Sequence, residues 1–141
     1  MTAEQSSAST RNNLLLAFAW LVALVATLGS LYYSEIRLFL PCELCWYQRI
    51  FMYPLAVILG IATWRSEFNI RIYALPLAAI GWLISLRHNL EQRFPDLFPA
   101  ACKGPISCTT EYIPSFPIPL QALFAFTLII VALLLIRTAR R

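Results

Sequence analysis

The chain has 141 residues, 60% of them hydrophobic and 13% charged, with a formal net charge of +4. So apolar a composition excludes an ordinary water-soluble domain. The positive balance does not point to nucleic acid either, because the basic residues sit at the ends of apolar runs and form no stripe interleaved with aromatics.

Residues 2–13 are rich in Ser and Thr and hold too few apolar groups to offset ordering entropy, which predicts a short disordered tail over 1–13. The first apolar run, 14–33, is longer than the ~7–15 residues of a signal-peptide core and lacks a convincing small-residue cleavage site, so it is expected to remain as a membrane anchor. Runs at 46–64, 70–86 and 118–136 follow, each near the ~20 residues that cross ~30 Å of hydrocarbon, the third run being the shortest. Short connections after the first and second runs force antiparallel neighbours. The expected architecture is therefore all-α, an up-down four-helix transmembrane bundle forming one domain over 1–141. Gly29, Gly60 and Gly81 lie one in each of the first three runs. They either permit close helix contact or reflect the ordinary frequency of glycine in membrane helices. Trp20, Trp46, Trp64, Trp82, Tyr32, Tyr33, Tyr47 and Tyr73 mostly lie near run ends, where interfacial anchoring accounts for them.

With four spans both termini share a side, together with Arg11, Arg65, Arg71, Arg137, Arg140 and Arg141 and only two acids, Glu4 and Glu67. The positive-inside rule then makes that side cytoplasmic. The expectation is a multi-pass cell-membrane protein, in contact with membrane lipid, whose loops 34–45 and 87–117 face away from the cytoplasm. All four cysteines fall in those loops, on the oxidising side.

The first pair, Cys42-x-x-Cys45, follows Pro41 and comes at or just before the N-terminus of the second helix. Unpaired N–H groups and the helix dipole stabilise a thiolate there, so the spacing reads as a redox pair. Cys42, Cys45 and Arg49 are related as i, i+3 and i+7, which stacks them on one stripe of a helix. A guanidinium one turn inside the membrane is costly without a cavity or polar partner. Arg49 is thus a candidate to lower a thiolate pKa or to bind the polar head of an electron acceptor, the alternative being an arginine that snorkels to the headgroups. Gln48 is a further candidate polar contact.

The last connection is the long one, with Pro95, Pro99, Pro105, Pro114, Pro117 and Pro119 ruling out more than a turn or two of helix. Phe94, Leu97, Phe98, Ile106, Tyr112, Ile113 and Phe116 give it apolar surface, so a loop that docks but can move is expected. Cys102 and Cys108 enclose a turn-prone Lys103-Gly-Pro-Ile-Ser107, and closeness along the chain favours their pairing among the three possible connectivities. A disulfide in such a loop is open to attack by an incoming thiolate. Two other readings stay open: a four-thiolate zinc site, against which the second pair lacks Cys-x-x-Cys spacing, and disulfides that only staple the loops. No metal is expected. His88, the only histidine, lies near the end of the third run and is either a proton relay or acceptor ligand or an interfacial polar residue.

The segment Pro41-Cys-Glu-Leu-Cys-Trp-Tyr-Gln-Arg49, with Gly29-Ser-Leu-Tyr-Tyr-Ser-Glu-Ile-Arg37, Tyr53-Pro-Leu, His88-Asn-Leu-Glu-Gln92 and Ile118-Pro-Leu, resembles the DsbB family of membrane thiol oxidases, most closely its short BdbC branch. The resemblance spans all but the N-terminal tail. It implies disulfide bond formation by a protein-disulfide oxidoreductase that reoxidises an extracytoplasmic thioredoxin-like disulfide donor and passes the electrons to a membrane quinone, menaquinone or ubiquinone. By that resemblance Cys102 and Cys108 form the loop disulfide that takes electrons from the partner, Cys102 entering the mixed disulfide. Cys42 and Cys45 pass them on, with Cys45 the thiolate beside the quinone; Arg49 is the quinone-site arginine and His88 a weaker match. The second pair lies much closer together than in longer family members, so a large loop rearrangement is not implied. The rival from another class is a membrane scaffold or transporter subunit with stapling disulfides. A nearer one is a relay like vitamin K epoxide reductase, against which the cysteine motif and Arg49 stand.

Overall fold

Four long helices carry the chain: α1 (Ala3–Leu31), α2 (Glu43–Arg65), α3 (Arg71–Arg93) and α4 (Ile118–Leu135). The structure is a computed structural model describing residues 2–99, 101–107 and 112–137, and among these there is no strand. Each of the four is long and apolar enough to cross a membrane. They pack as a closed ring, α1 against α2, α2 against α3, α3 against α4 and α4 back against α1, which is the up-down four-helix bundle.

The core is built from one stripe of each helix: Leu16, Ala19 and Ala23 of α1, Met52, Leu55 and Leu59 of α2, Ala74 and Ala78 of α3, and Phe126, Ile129 and Leu133 of α4. Leu14, Leu21, Val25 and Leu28 on α1, like Val57, Ile61, Ile72 and Leu134 elsewhere, point outward and are exposed. An apolar exterior of this kind suits a hydrocarbon solvent. Small residues at the seams let the backbones approach. A Cβ added at Gly60 would lie 2.8 Å from Trp20 Nε1, and one at Gly81 would overlap the fully buried ring of Phe126, whereas Gly29 has nothing within 4 Å. Close contact thus accounts for two of the three glycines. Gly81→Ala is expected to destabilise the bundle by about 1–3 kcal/mol through overpacking, read as a lowered melting temperature in detergent. In a Phe126→Ala background, where the ring is absent, Gly81→Ala should cost little, and an unchanged melting temperature for Gly81→Ala in the parent chain would mean that α3 and α4 do not meet this closely.

The N-terminal segment departs from expectation. In place of a disordered tail, α1 begins at Ala3, although residues 2–11 are all exposed. The Thr2 N–H donates to Gln5 Oε1 at 3.3 Å, and Ala3, Glu4 and Gln5 are good helix formers. Extending a helix already nucleated by an apolar span costs little per residue, which local composition does not reveal. The other end of the bundle is closed in trans. Buried Asn12 donates to the Arg137 carbonyl at 2.7 Å and accepts from its N–H at 3.2 Å, while Arg71 Nη1 donates to the Ile136 carbonyl at 2.6 Å. Side chains of α1 and α3 so satisfy carbonyl groups left over at the end of α4.

Two further boundaries shape the cysteine end of the bundle. α1 widens into a π turn at Tyr32–Ile36 before the chain crosses to α2. α3 begins after a short 3₁₀ turn (Phe68–Ile70) and runs on to Arg93, a turn and more beyond the expected end at 86, which shortens the last loop and puts His88 and Glu91 on helical backbone.

Candidate functional site

Cys42 is the N-cap residue of α2, in extended conformation (φ −74°, ψ 172°), and its carbonyl accepts the Trp46 N–H at 3.1 Å. Cys45 follows one helical turn later on the same stripe, so the two sulfurs lie 3.1 Å apart as free thiols. α3 brings His88 to them across the bundle. Its Nε2 is 3.7 Å from Cys42 Sγ and its Nδ1 is 3.1 Å from Gln48 Nε2, the ring being buried. Gln48, one turn below the thiols, therefore orients the histidine.

The hydrogen bond from the Cys45 thiol lowers Cys42 to about 4, from 9.0 for an unperturbed thiol; burial works against this, and a hydrogen bond and favourable charge from His88 add to it. The geometry thus favours negative charge on Cys42 while both sulfurs are reduced. The expected outcome is a Cys42 thiolate that is protonated only as the pH falls toward about 4. Thiolate absorbance of the reduced protein should show that low midpoint, and His88→Ala should raise it. An ordinary thiol midpoint in the parent chain would mean that the Cys45 bond does not form.

Arg49 completes the stripe but bonds neither thiol. Its Nη2 donates to the Ser30 carbonyl at 3.2 Å, near the π turn of α1, and its guanidinium carbon lies 5.3 Å from the centre of the Trp46 ring. An arginine held by a carbonyl and an aromatic face inside the bundle has not snorkelled to the headgroups. Cys42, Cys45, Gln48, Arg49 and His88 together form the polar end of a cavity of about 670 Å³. Its walls are apolar, from Val22, Ala26, Met52, Ala122 and Leu128, and Phe18, Leu21, Val25 and Phe124 at its edge are exposed on the outside of α1 and α4. Such a volume matches a small-molecule site with few polar groups on apolar walls.

The proline-rich loop lies against this end. Arg87 Nη2 donates to the Pro99 carbonyl at 2.9 Å, the Ala101 N–H to Glu91 Oε1 at 3.2 Å, and the Lys103 N–H to Glu43 Oε2 at 3.3 Å. On the other side Tyr112 stacks on Phe39 at 4.4 Å and donates to the Leu40 carbonyl at 3.2 Å. Cys102 and Ile106 pack against Cys42 and Leu44. Cys102 is disulfide-bonded, and Cys108 lies outside the described residues. Among the described residues Cys42, Cys45 and His88 converge, with ligand atoms within 4.8 Å of one another.

The fold thus brings Cys42, Cys45, Arg49 and His88 to one cavity and sets Cys102 beside it. The contact of Gln48 with His88 and the carboxylates of Glu43 and Glu91 against the loop were not foreseen. For Glu91 a signal existed, since it stands three residues after His88 and shares its face of α3.

This geometry agrees with what the chain is similar to. The profile of the family described as "Disulfide bond formation protein DsbB" matches residues 11–137. Disulfide bond formation protein C of Bacillus subtilis (strain 168) is 49% identical over 132 residues, covering 90% of this chain and 96% of the relative. A probable disulfide formation protein C of Halalkalibacterium halodurans is 48% identical, over 88% of this chain and 93% of that one. A probable disulfide formation protein of Metapseudomonas resinovorans is 45% identical, over 94% of each. No solved structure matches the chain. A redox-spaced cysteine pair at a helix start, a second cysteine in a docked loop and four membrane-length helices are what disulfide formation at a membrane needs, and by the extent of these matches the chain belongs to the DsbB family of disulfide bond formation proteins, as a multi-pass membrane disulfide oxidoreductase.

Proposed function

We propose that this protein reoxidises a thioredoxin-like disulfide donor outside the cytoplasm and delivers the electrons to a membrane quinone. The observation that carries the reading is the shared cavity: the Cys42 and Cys45 thiols, Arg49 and His88 meet at the polar end of an apolar chamber whose edge is lipid-facing. A polar head on a long apolar tail fits that division of lining, and a quinone, when bound, would supply a sink for two electrons and two protons.

In the relay, a thiolate of the partner attacks the loop disulfide of Cys102 and Cys108, and the partner's second thiol resolves the mixed disulfide. The loop dithiol then exchanges with a Cys42–Cys45 disulfide: two sulfur–sulfur bonds form in turn, two break, and the first pair is left as two thiols. When that pair reoxidises, Cys42 and Cys45 form their bond, two electrons leave, and two protons leave with them. His88 Nε2, 3.7 Å from Cys42 Sγ, is the polar group that faces the first sulfur during this exchange, and Gln48 keeps the ring aimed. Arg49, at the polar end of the same cavity, would hold the polar head of the acceptor when it binds. Arg71 and Arg137 lie at the end away from the cysteines, which supports cytoplasmic termini and extracytoplasmic cysteine loops.

The test is anaerobic turnover with the purified full-length chain, a reduced thioredoxin-like protein as donor, and menaquinone and ubiquinone in turn. Quinol should form in step with partner disulfide. Partner oxidation that proceeds without quinol from either quinone overturns the reading.

A further inference from the structure

The loop that carries Cys102 is held by two carboxylates, one on each side of that residue. The N–H of Ala101 donates to Glu91 Oε1 at 3.2 Å, and the N–H of Lys103 donates to Glu43 Oε2 at 3.3 Å. Glu43 stands between Cys42 and Cys45, and Glu91 stands three residues past His88 on α3. Both anchors therefore belong to the elements that carry the first thiol pair and its histidine. The Gly104 backbone also passes so close that a Cβ there would sit 3.4 Å from Glu43 Oε1.

Glu91 is the more informative of the two. It is 1% exposed, its second oxygen has no hydrogen-bond partner, and no ion pair reaches it among the described residues. A buried side-chain oxygen is costly to keep away from water unless its hydrogen bond holds something in place. The hydrogen bond that remains to Glu91 is the one to the amide directly before Cys102. Charge-assisted bonds to backbone N–H are short-range and directional, so a pair of them fixes the position of the residue between.

We infer that Glu43 and Glu91 are positioning residues that clamp Cys102 over the Cys42–Cys45 pair for the internal exchange between the two disulfides. The inference rests on the proposed relay and assigns the clamp to one step of it. In that step a loop thiolate attacks the Cys42–Cys45 bond, its second thiol displaces the mixed disulfide, and two electrons and two protons pass to the first pair. Thiol–disulfide exchange requires the attacking sulfur to approach along the bond it breaks, so alignment of the loop governs its rate. Ile106, Ser107, Tyr112 and Phe116 of the loop also line the cavity, but the two clamp bonds are made at Ala101 and Lys103, so reduction of the acceptor should be indifferent to the clamp.

Two rates separate these roles in the purified full-length chain. The first is quinone reduction driven by a reduced thioredoxin-like partner, which passes through the loop. The second is quinone reduction driven by dithiothreitol in a Cys102→Ser, Cys108→Ser background, which enters at Cys42–Cys45 directly. Glu91→Ala should slow the first roughly tenfold, the loss expected when a buried backbone N–H is left without its acceptor, and leave the second unchanged. Glu43→Ala should act in the same sense and less strongly, because its bond is exposed. Glu91→Gln should recover most of the partner-driven rate, since an amide oxygen still accepts the Ala101 N–H. The clamp is overturned if Glu91→Ala lowers both rates alike, if it lowers neither, or if glutamine does no better than alanine. Absence of quinone reduction in the parent chain from either reductant would instead remove the relay, and the clamp with it.

Discussion

Cys45→Ser should bring quinone reduction to background, a fall of at least about 10³-fold of the kind seen when a residue that makes a covalent bond in the reaction is removed. The geometry makes the loss specific. Cys42 remains at the helix start with His88 beside it, so it can still join a mixed disulfide with the loop, but with no sulfur 3.1 Å away it cannot close a bond and release electrons onward. Partner oxidation should therefore show a burst of no more than one equivalent per chain, from the loop disulfide alone, and then stop. Cys42→Ser should give the same steady state, since either change removes half of the bond. Rapid-mixing measurement of partner oxidation and quinol formation under anaerobic conditions reads both quantities. Continued turnover in either variant would take the first pair out of the pathway and leave the cysteines as staples.

Arg49→Ala carries the second large effect, a rise in the apparent KM for quinone of roughly tenfold to a hundredfold, the range for losing a hydrogen bond from a charged donor. The guanidinium is already fixed by the Ser30 carbonyl at 3.2 Å and by the Trp46 face, so it meets a ligand without further ordering. The KM for the partner protein should move little, because among the described residues the loop bonds run to Arg87, Glu91, Glu43 and Leu40 and none runs to Arg49. Lysine at this position should fall between the two, keeping the charge but losing the planar fork. Quinone kinetics identical in Arg49→Ala and the parent would assign Arg49 to the joint between α1 and α2 alone.

The helices and the cysteine stripe were legible because the physics that makes them is local. A span must present about 20 apolar residues in a row, and the i, i+3, i+7 relation of Cys42, Cys45 and Arg49 is readable from numbering alone. The helical start of α1 was not, since the Ser, Thr and Asn residues that follow its first turn are weak helix signals and the stabilising factor is the span that comes after them. Nor was the run of α3 to Arg93. Arg87, His88, Asn89, Glu91, Gln92 and Arg93 look like loop, and they remain helical because distant groups satisfy several of them: Gln48 for His88, Pro99 for Arg87, the Ala101 amide for Glu91. Partners 40, 12 and 10 residues away leave no periodic trace. The same holds for Asn12, whose buried amide is explained only by Arg137.

That last contact sets how the bundle yields. Where α1 and α4 meet far from the cysteines they are stitched by the paired bonds of Asn12 to the Arg137 backbone. At the cysteine end the same two helices are joined by the neutral Tyr33–Gln121 bond at 3.2 Å and part around the cavity. The bundle is thus tied more firmly away from the cysteines than beside them. If a quinone binds as proposed, its tail would lie between the exposed Phe18, Leu21, Val25 and Phe124, and it would reach the cavity from the bilayer side rather than through water.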